Sequence, residues 1–354
     1  MKNKLIAFTF ILILGIGLTL TFTLPDKKMS TLERRKLTTK EVLESGFVEN
    51  LDDYMSEQIP FRNTFLAFGS AFERYILQNE ESNDSYIKDG YIIEKNYHLD
   101  EVSIDNFIKK LNFIADKVTP NGDVFYSVIP DKSYYLNADS SLKLDYDDIE
   151  TKLRSSIEGE YIDILECFEL SDYYKTDIHL KQEAYFKILD KFLDRVGIKE
   201  EDIKYEKKTL DDFYGASFSK VPFFKPESIE YFSNDILENV HVSHLESGKR
   251  EVYDFKANTE MDLYNIFLSG PSALIEIENE GAYSDRELII FRDSFASSMT
   301  PLLTPYFKKI TLIDLRYISL DYVLKNVDFQ NKDILFLYST LIINKSSILK
   351  VNVP

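Results

Sequence analysis

The sequence predicts an α/β protein built on a parallel sheet, with a transmembrane helix at its N-terminus. Three observations carry this. Strand and helix alternate near the C-terminus: apolar Leu288–Phe291, a helix near 297–307, Ile310–Asp314, a helix near 319–326, then Ile334–Tyr338. Such alternation means parallel strands joined by crossover helices. Upstream, "SIDNFIKKLNFIADKV" puts Phe107, Leu111, Ile114 and Val118 on one helical face, and the buried-type strand "GDVFYSVIPDK" follows, ending at Pro130. At the start, Lys2 and Lys4 precede about twenty uncharged residues, Leu5 to Leu24, enough to cross a bilayer.

The elements follow in order. Residues 1–28 read as an uncleaved signal-anchor: no A-x-A-like cleavage site follows, and Lys27 and Lys28 close the segment. A short basic N-terminus stays inside, so residues 29–354 are expected outside the cell membrane as one tethered domain. "SGFVENLDDYMSEQIP" carries Phe47, Leu51, Tyr54 and Met55 at helical steps and stops near Pro60. A second helix starts at Arg62 and carries Phe65, Phe68, Phe72 and Ile76. "DSYIKDGYIIEK" reads as a hairpin turning at Asp89-Gly90. "YIDILECF", 161–168, reads as an apolar strand with Cys167 buried in it. "HLKQEAYFKILDKFLDRVG" reads as a helix with Leu180, Tyr185, Ile188, Leu189, Phe192 and Val196 inward, ended by Gly197. Residues 200–285 are more polar and read as a candidate insertion subregion holding short strands.

Composition excludes some functions. The net charge of −18 leaves no basic face for phosphates, so nucleic acid is not an expected partner. A single cysteine permits no intrachain disulfide. "HVSH", with His241 and His244, lacks the further ligands of a zinc site, and no metal or cofactor is expected.

Chemistry concentrates at the carboxyl ends of the strands, where parallel sheets place their sites. Asp293-Ser294 follows strand 288–291, and "IPDK" puts Lys132 after strand 123–129, where it could bind an anionic group. "YYKTDIHLKQEA" holds Asp177 and His179. A serine hydroxyl needs a base, and the base an orienting carboxylate. In an extended loop, side chains two apart share one side, so Asp177 can hold one ring nitrogen of His179 while the other faces a serine. Read singly, Ser294 and Asp177 are more often helix N-caps than catalytic groups.

"TDIHLKQEAYFKI" and "FRDSFASSMTPLLTPYFKKITLIDLRYI" together resemble the DHHW-type proteins of Gram-positive bacteria, which are similar to the SGNH-like O-acetyltransferases of the alginate acetylation machinery. "YSVIPDK" is similar to that group's strand ending in Pro-x-Lys. "LERRKL" and "FVENLDDYMSEQIPFRNTF" look like its N-terminal signature. Ile178 and Leu180 stand where the group's second His and Trp would be, and Arg292 replaces its Gly or Lys before Asp-Ser.

The resemblance implies an SGNH-hydrolase-like fold with a permuted triad order, Asp177 and His179 before Ser294. It implies O-acetylation of a cell-wall or exported polysaccharide, with a multi-pass membrane acyltransferase as partner and acyl donor. Arg292, Lys132 and Ser269 (in "FLSGPSALIEI") are then candidates for the substrate or oxyanion side of the site. Two alternatives stay open: a carbohydrate esterase with the same triad, and an inactive family member that binds glycan or protein.

Overall fold

The structure is a computed structural model that describes residues 2–79, 81–82, 84–118, 122–136, 142–256 and 262–353. Its centre is one sheet of eight strands: β1 (Val124–Ile129), β2 (Glu160–Tyr161), β3 (His241–His244), β4 (Gly248–Arg250), β5 (Leu274–Glu278), β6 (Glu287–Arg292), β7 (Lys309–Ile313) and β8 (Asp333–Ser339). In space they run β4-β3-β5-β7-β6-β8-β1-β2. The five strands from β7 to β2 are parallel. The other three extend the β7 edge antiparallel, and all come from the polar segment 200–285.

Helices cover both faces. Helices α1 (Lys2–Thr23), α2 (Phe47–Gln58) and α3 (Arg62–Tyr75) precede the sheet. α4 (Glu101–Val118), α5 (Tyr146–Ser156) and α8 (Leu320–Asn326) pack on one face, against Tyr126, Ile289, Phe291 and Phe336. α6 (Phe186–Arg195) and α7 (Ala296–Leu303) pack on the other, against Phe125, Ile290, Leu312 and Leu335. Covering on both sides explains why every residue of β8 is buried and why its middle, Ile334 to Tyr338, is a continuous apolar run.

This winding positions the site. From β6 the chain crosses by α7 to β7 on one side, then by α8 over the opposite face to β8 on the other. The strand order therefore reverses at β6, and a crevice must open beyond its carboxyl end. Ser294 lies two residues past that end.

Some expectations are corrected. The apolar run 161–168 pairs only through Glu160–Tyr161, because Leu165–Cys167 turns into a 3-10 helix. Cys167 is half-buried and accepts a hydrogen bond from Lys191 Nζ at 3.2 Å. The helix expected from Leu180 starts at Phe186, after a 3-10 turn over Gln182–Tyr185, with its inward residues as read. α3 starts at Arg62 as expected; Phe65, Phe68, Phe72 and, just past its end, Ile76 face outward.

Candidate active site

The Asp177–His179 loop is held at both ends. Tyr173 and Leu180 form a lone β-bridge, Lys181 N donates to Asp172 O at 2.7 Å, and Tyr173 Oη donates to the carbonyl of Pro130, at the end of β1. A two-stranded hairpin, Glu206–Phe213 with Glu227–Ser233, closes over it. Its Glu227 carboxylate accepts from Lys175 N and from Thr176 N and Oγ1, at 2.7–2.8 Å. Beneath the loop passes Gly215. A Cβ there would lie 2.3 Å from the Thr176 carbonyl and 2.5 Å from Asp177 Cβ, so only glycine allows this approach.

Asp177 is fully buried, and its carboxylate is saturated with donors. Oδ1 accepts from His179 N at 3.0 Å and faces His179 Nδ1 at 2.5 Å; Oδ2 accepts from Ala216 N at 2.6 Å. Arg34 Nη2 stands 3.7 Å from Oδ2. Burial pushes the carboxyl pKa up, but His179, Arg34 and the Ala216 N–H outweigh it and hold the group well below the usual carboxylate range. An ionised carboxylate only accepts, so Nδ1 of His179 carries a proton, and the lone pair of the neutral ring is then on Nε2. Nε2 lies 2.8 Å from Ser294 Oγ. The ring is clamped by Tyr264, stacked at 4.0 Å, and by Phe295 at 4.9 Å.

The serine side is equally fixed. Asp293 Oδ1 accepts from Phe295 N at 3.0 Å, and Oδ2 accepts from Ser339 N and Oγ at the end of β8. Asp293 thus ties the strand-to-helix corner, and Ser294, half-buried, projects from it. Two buried side chains then lock the two halves together. Gln182 Nε2 donates to Ser298 O at 2.8 Å, and Tyr185 Oη donates to Phe295 O at 2.8 Å. The N–H of Ser294 meets no acceptor among the described residues, which leaves it free to receive an anionic oxygen.

Asp177, His179 and Ser294 are therefore brought together, and Asp177 caps no helix. The other three candidates are directed elsewhere. Lys132 is buried and donates to Ile92 O at 2.7 Å and Lys175 O at 3.4 Å, supporting the loop from behind; burial lowers its pKa to about 8. Ser269 Oγ donates to Asp254 Oδ2 at 2.8 Å and lines a separate cavity of about 770 Å³ with Tyr253 and Asn265. Arg292 is 1% exposed and faces Asp293 O, Ser297 Oγ and, at 3.8 Å, Asp314. Its strand is buried on both faces, so the long side chain lies inside the fold, where burial lowers its pKa.

Sequence reasoning assigned no role to Arg34, Gly215, Glu227, Asp262 or Tyr264. Arg34 sits in the quoted "LERRKL". It bonds Asp262 Oδ2 at 2.5 Å and Tyr214 O at 2.6 Å while approaching Asp177. The others belong to the polar segment 200–285, which carries no local pattern pointing at His179.

No family model matches the chain, and no curated protein sequence matches it. Solved structures do. A DHHW family protein from Eubacterium siraeum superposes with a TM-score of 0.62 at 18% identity, over 75% of this chain and 92% of that one. Bacillus cereus PatB1, solved with a sulfonyl adduct, gives 0.60 at 17%, over 73% and 95%. The O-acetyltransferase domain of Pseudomonas putida AlgJ gives 0.46 at 9%, over 74% and 92%. The chain shares its fold with the DHHW family protein and with PatB1, and so resembles in structure the proteins its motifs resemble in sequence.

Proposed function

We propose that this chain is a membrane-tethered, extracytoplasmic SGNH-like O-acyltransferase that acetylates a cell-wall or exported polysaccharide. The observation that carries the reading is the hydrogen-bonded relay Asp177–His179–Ser294, with Nε2 2.8 Å from Oγ.

In this reading Ser294 Oγ attacks the carbonyl carbon of an acyl donor while His179 Nε2 takes the hydroxyl proton. Asp177 holds the tautomer and stabilises the imidazolium. The Ser294 N–H meets the oxyanion. His179 returns the proton to the leaving group, and the acyl group stays on Ser294. A sugar hydroxyl then gives its proton to His179 and attacks the acyl-serine; as the ester bond to Ser294 breaks, His179 returns that proton to Oγ and the sugar carries the acyl group away. The donor is a multi-pass membrane acyltransferase, by resemblance of the motifs. α1 holds the domain at the outer face of the membrane, and the triad order is permuted, Asp and His first.

Two measurements test this. In cells, Ser294→Ala and His179→Ala should each abolish ester-linked acetyl on the surface polysaccharide; unchanged acetylation overturns the reading. With purified full-length protein, a sulfonyl fluoride should modify Ser294, its hydroxyl proton passing to His179 as fluoride leaves. His179→Ala should slow this by orders of magnitude, roughly 10³-fold or more. Acetyl released from a model ester to water, with none transferred to an added oligosaccharide, would assign the same relay to an esterase.

A further inference from the structure

Helix α3 contains no buried residue. Its large side chains recur at steps of three and four along one face and lie open: Phe61 is 71% exposed, Phe65 62%, Phe68 70%, Phe72 44% and Ile76 64%. A surface helix normally turns such a stripe towards the core. Here the opposite face is the docked one. Arg62 donates to Ser56 O and Glu33 Oε1, both at 3.0 Å, and Arg74 donates to Ile87 O at 3.2 Å; Tyr75, one heptad from Phe68 at the end of the open face, meets the Phe223 ring at 5.6 Å. The helix is fixed to the domain by its polar side and presents its apolar side outward.

α3 is linked to α1 through α2. α1 is 22 residues long and apolar, about 33 Å at 1.5 Å per residue, and its side chains are exposed along its length. α2 is bonded to its end: Tyr54 Oη donates to Thr21 O at 3.2 Å, the Phe22 and Tyr54 rings meet at 5.5 Å, and Gln58 exchanges two hydrogen bonds with Lys27. α3 follows α2 after the short link Ile59–Phe61. α3 therefore starts close to the foot of α1. A stripe of open phenylalanines on a helix docked by its other side, linked through α2 to an apolar membrane-length helix, is the apolar face of an interfacial helix.

We infer that α3 lies in the lipid–water interface, as a second membrane contact that fixes the orientation of the catalytic domain on the bilayer. The inference rests on the reading of α1 as a membrane helix, and the test separates the two. The chain contains no tryptophan, so a single introduced one reports alone. Full-length Phe68→Trp, Phe8→Trp (in α1) and Val102→Trp (78% exposed, on α4) would be reconstituted in vesicles of phosphatidylcholine and phosphatidylglycerol, with lipids brominated near the headgroup or deep in the chains.

The expected result is Phe68→Trp emission cut roughly twofold by the shallow label, Phe8→Trp cut by the deep label, and Val102→Trp unaffected. Quenching of Phe68→Trp without that of Phe8→Trp keeps α3 at the interface and removes α1 from the bilayer. Quenching of Phe8→Trp alone overturns the inference, leaving the α3 face to a protein partner. Loss of quenching at both positions overturns both readings.

Discussion

Replacing Gly215 with alanine adds one methyl group directly beneath the Asp177 loop. The backbone there is extended (φ −66, ψ 169), so alanine meets no conformational penalty and the effect is purely steric. The new Cβ would stand 2.3 Å from the Thr176 carbonyl carbon and oxygen and 2.5 Å from Asp177 Cβ. Comfortable carbon contacts begin near 3.5 Å, so the loop must retreat by about 1 Å. That retreat strains the hydrogen bonds from Gly215 N to Thr176 Oγ1 and from Ala216 N to Asp177 Oδ2. A displacement of about 1 Å at a reacting group costs on the order of 100-fold in rate, or about 2.7 kcal/mol of barrier. Overpacking itself destabilises by about 1–3 kcal/mol. The assay is turnover of a model acetyl ester by purified full-length protein, beside its thermal melt. Gly122→Ala is the control. Its Cβ would sit 2.3 Å from Lys332 O, at the amino ends of β1 and β8, away from the site. It should lose stability and keep its kcat. Wild-type turnover by Gly215→Ala, or an equal fall in kcat for Gly122→Ala, would refute the reasoning.

Three further outcomes are expected. The folded Asp177 pKa is depressed, so its stabilisation is complete above the ordinary carboxylate range and is lost as pH falls towards the folded value. Arg34→Gln removes one of the groups holding it low, so the acid-unfolding midpoint followed by circular dichroism should rise; an unmoved midpoint assigns Arg34 no part in it. Lys132 titrates near 8 when folded against 10.5 when free, so between these values the unfolded chain keeps a proton the folded one has shed, and stability rises with pH. Lys132→Met should flatten that part of the urea-midpoint profile, and an identical slope in the variant would count against it. Arg292 is a buried cation whose Nε and Nη2 have no acceptor among the described residues, while Asp314 is already paired with Arg316 at 2.6–2.9 Å. Arg292→Met should therefore be neutral or stabilising in a thermal melt; a loss above about 3 kcal/mol would show that the Asp314 contact matters.

The C-terminal winding was legible because its signals are local. Ile289, Ile310 and Ile334 lie in apolar runs of strand length separated by helical stretches, and all three became neighbouring parallel strands. The Asp177–His179 pair could be read for a similar reason, since two residues of one extended loop decide whether they meet. The Ser294 contact needed the resemblance, because nothing local joins residues 115 positions apart. Arg292 and Lys132 misled because a charged side chain at a strand end usually faces solvent; here strands β6 and β1 are buried on both faces and enclose it. The outward face of α3 was not legible. Periodicity gives a helix its apolar stripe but not what the stripe touches, and Phe65 and Phe68 have no core to enter.

Arg34 turns the tether into a ruler. It contacts Asp177 from a position eleven residues beyond Thr23, where α1 ends. At about 3.6 Å per residue, a fully stretched chain of that length spans about 40 Å. The Asp177 carboxylate therefore has a ceiling on its distance from the foot of α1. On the proposed function, with α1 in a bilayer, Ser294 would work within a thin shell above the lipid and could not follow a polysaccharide outward. A glycan would have to be modified while it passes through that shell, close to where it leaves the membrane.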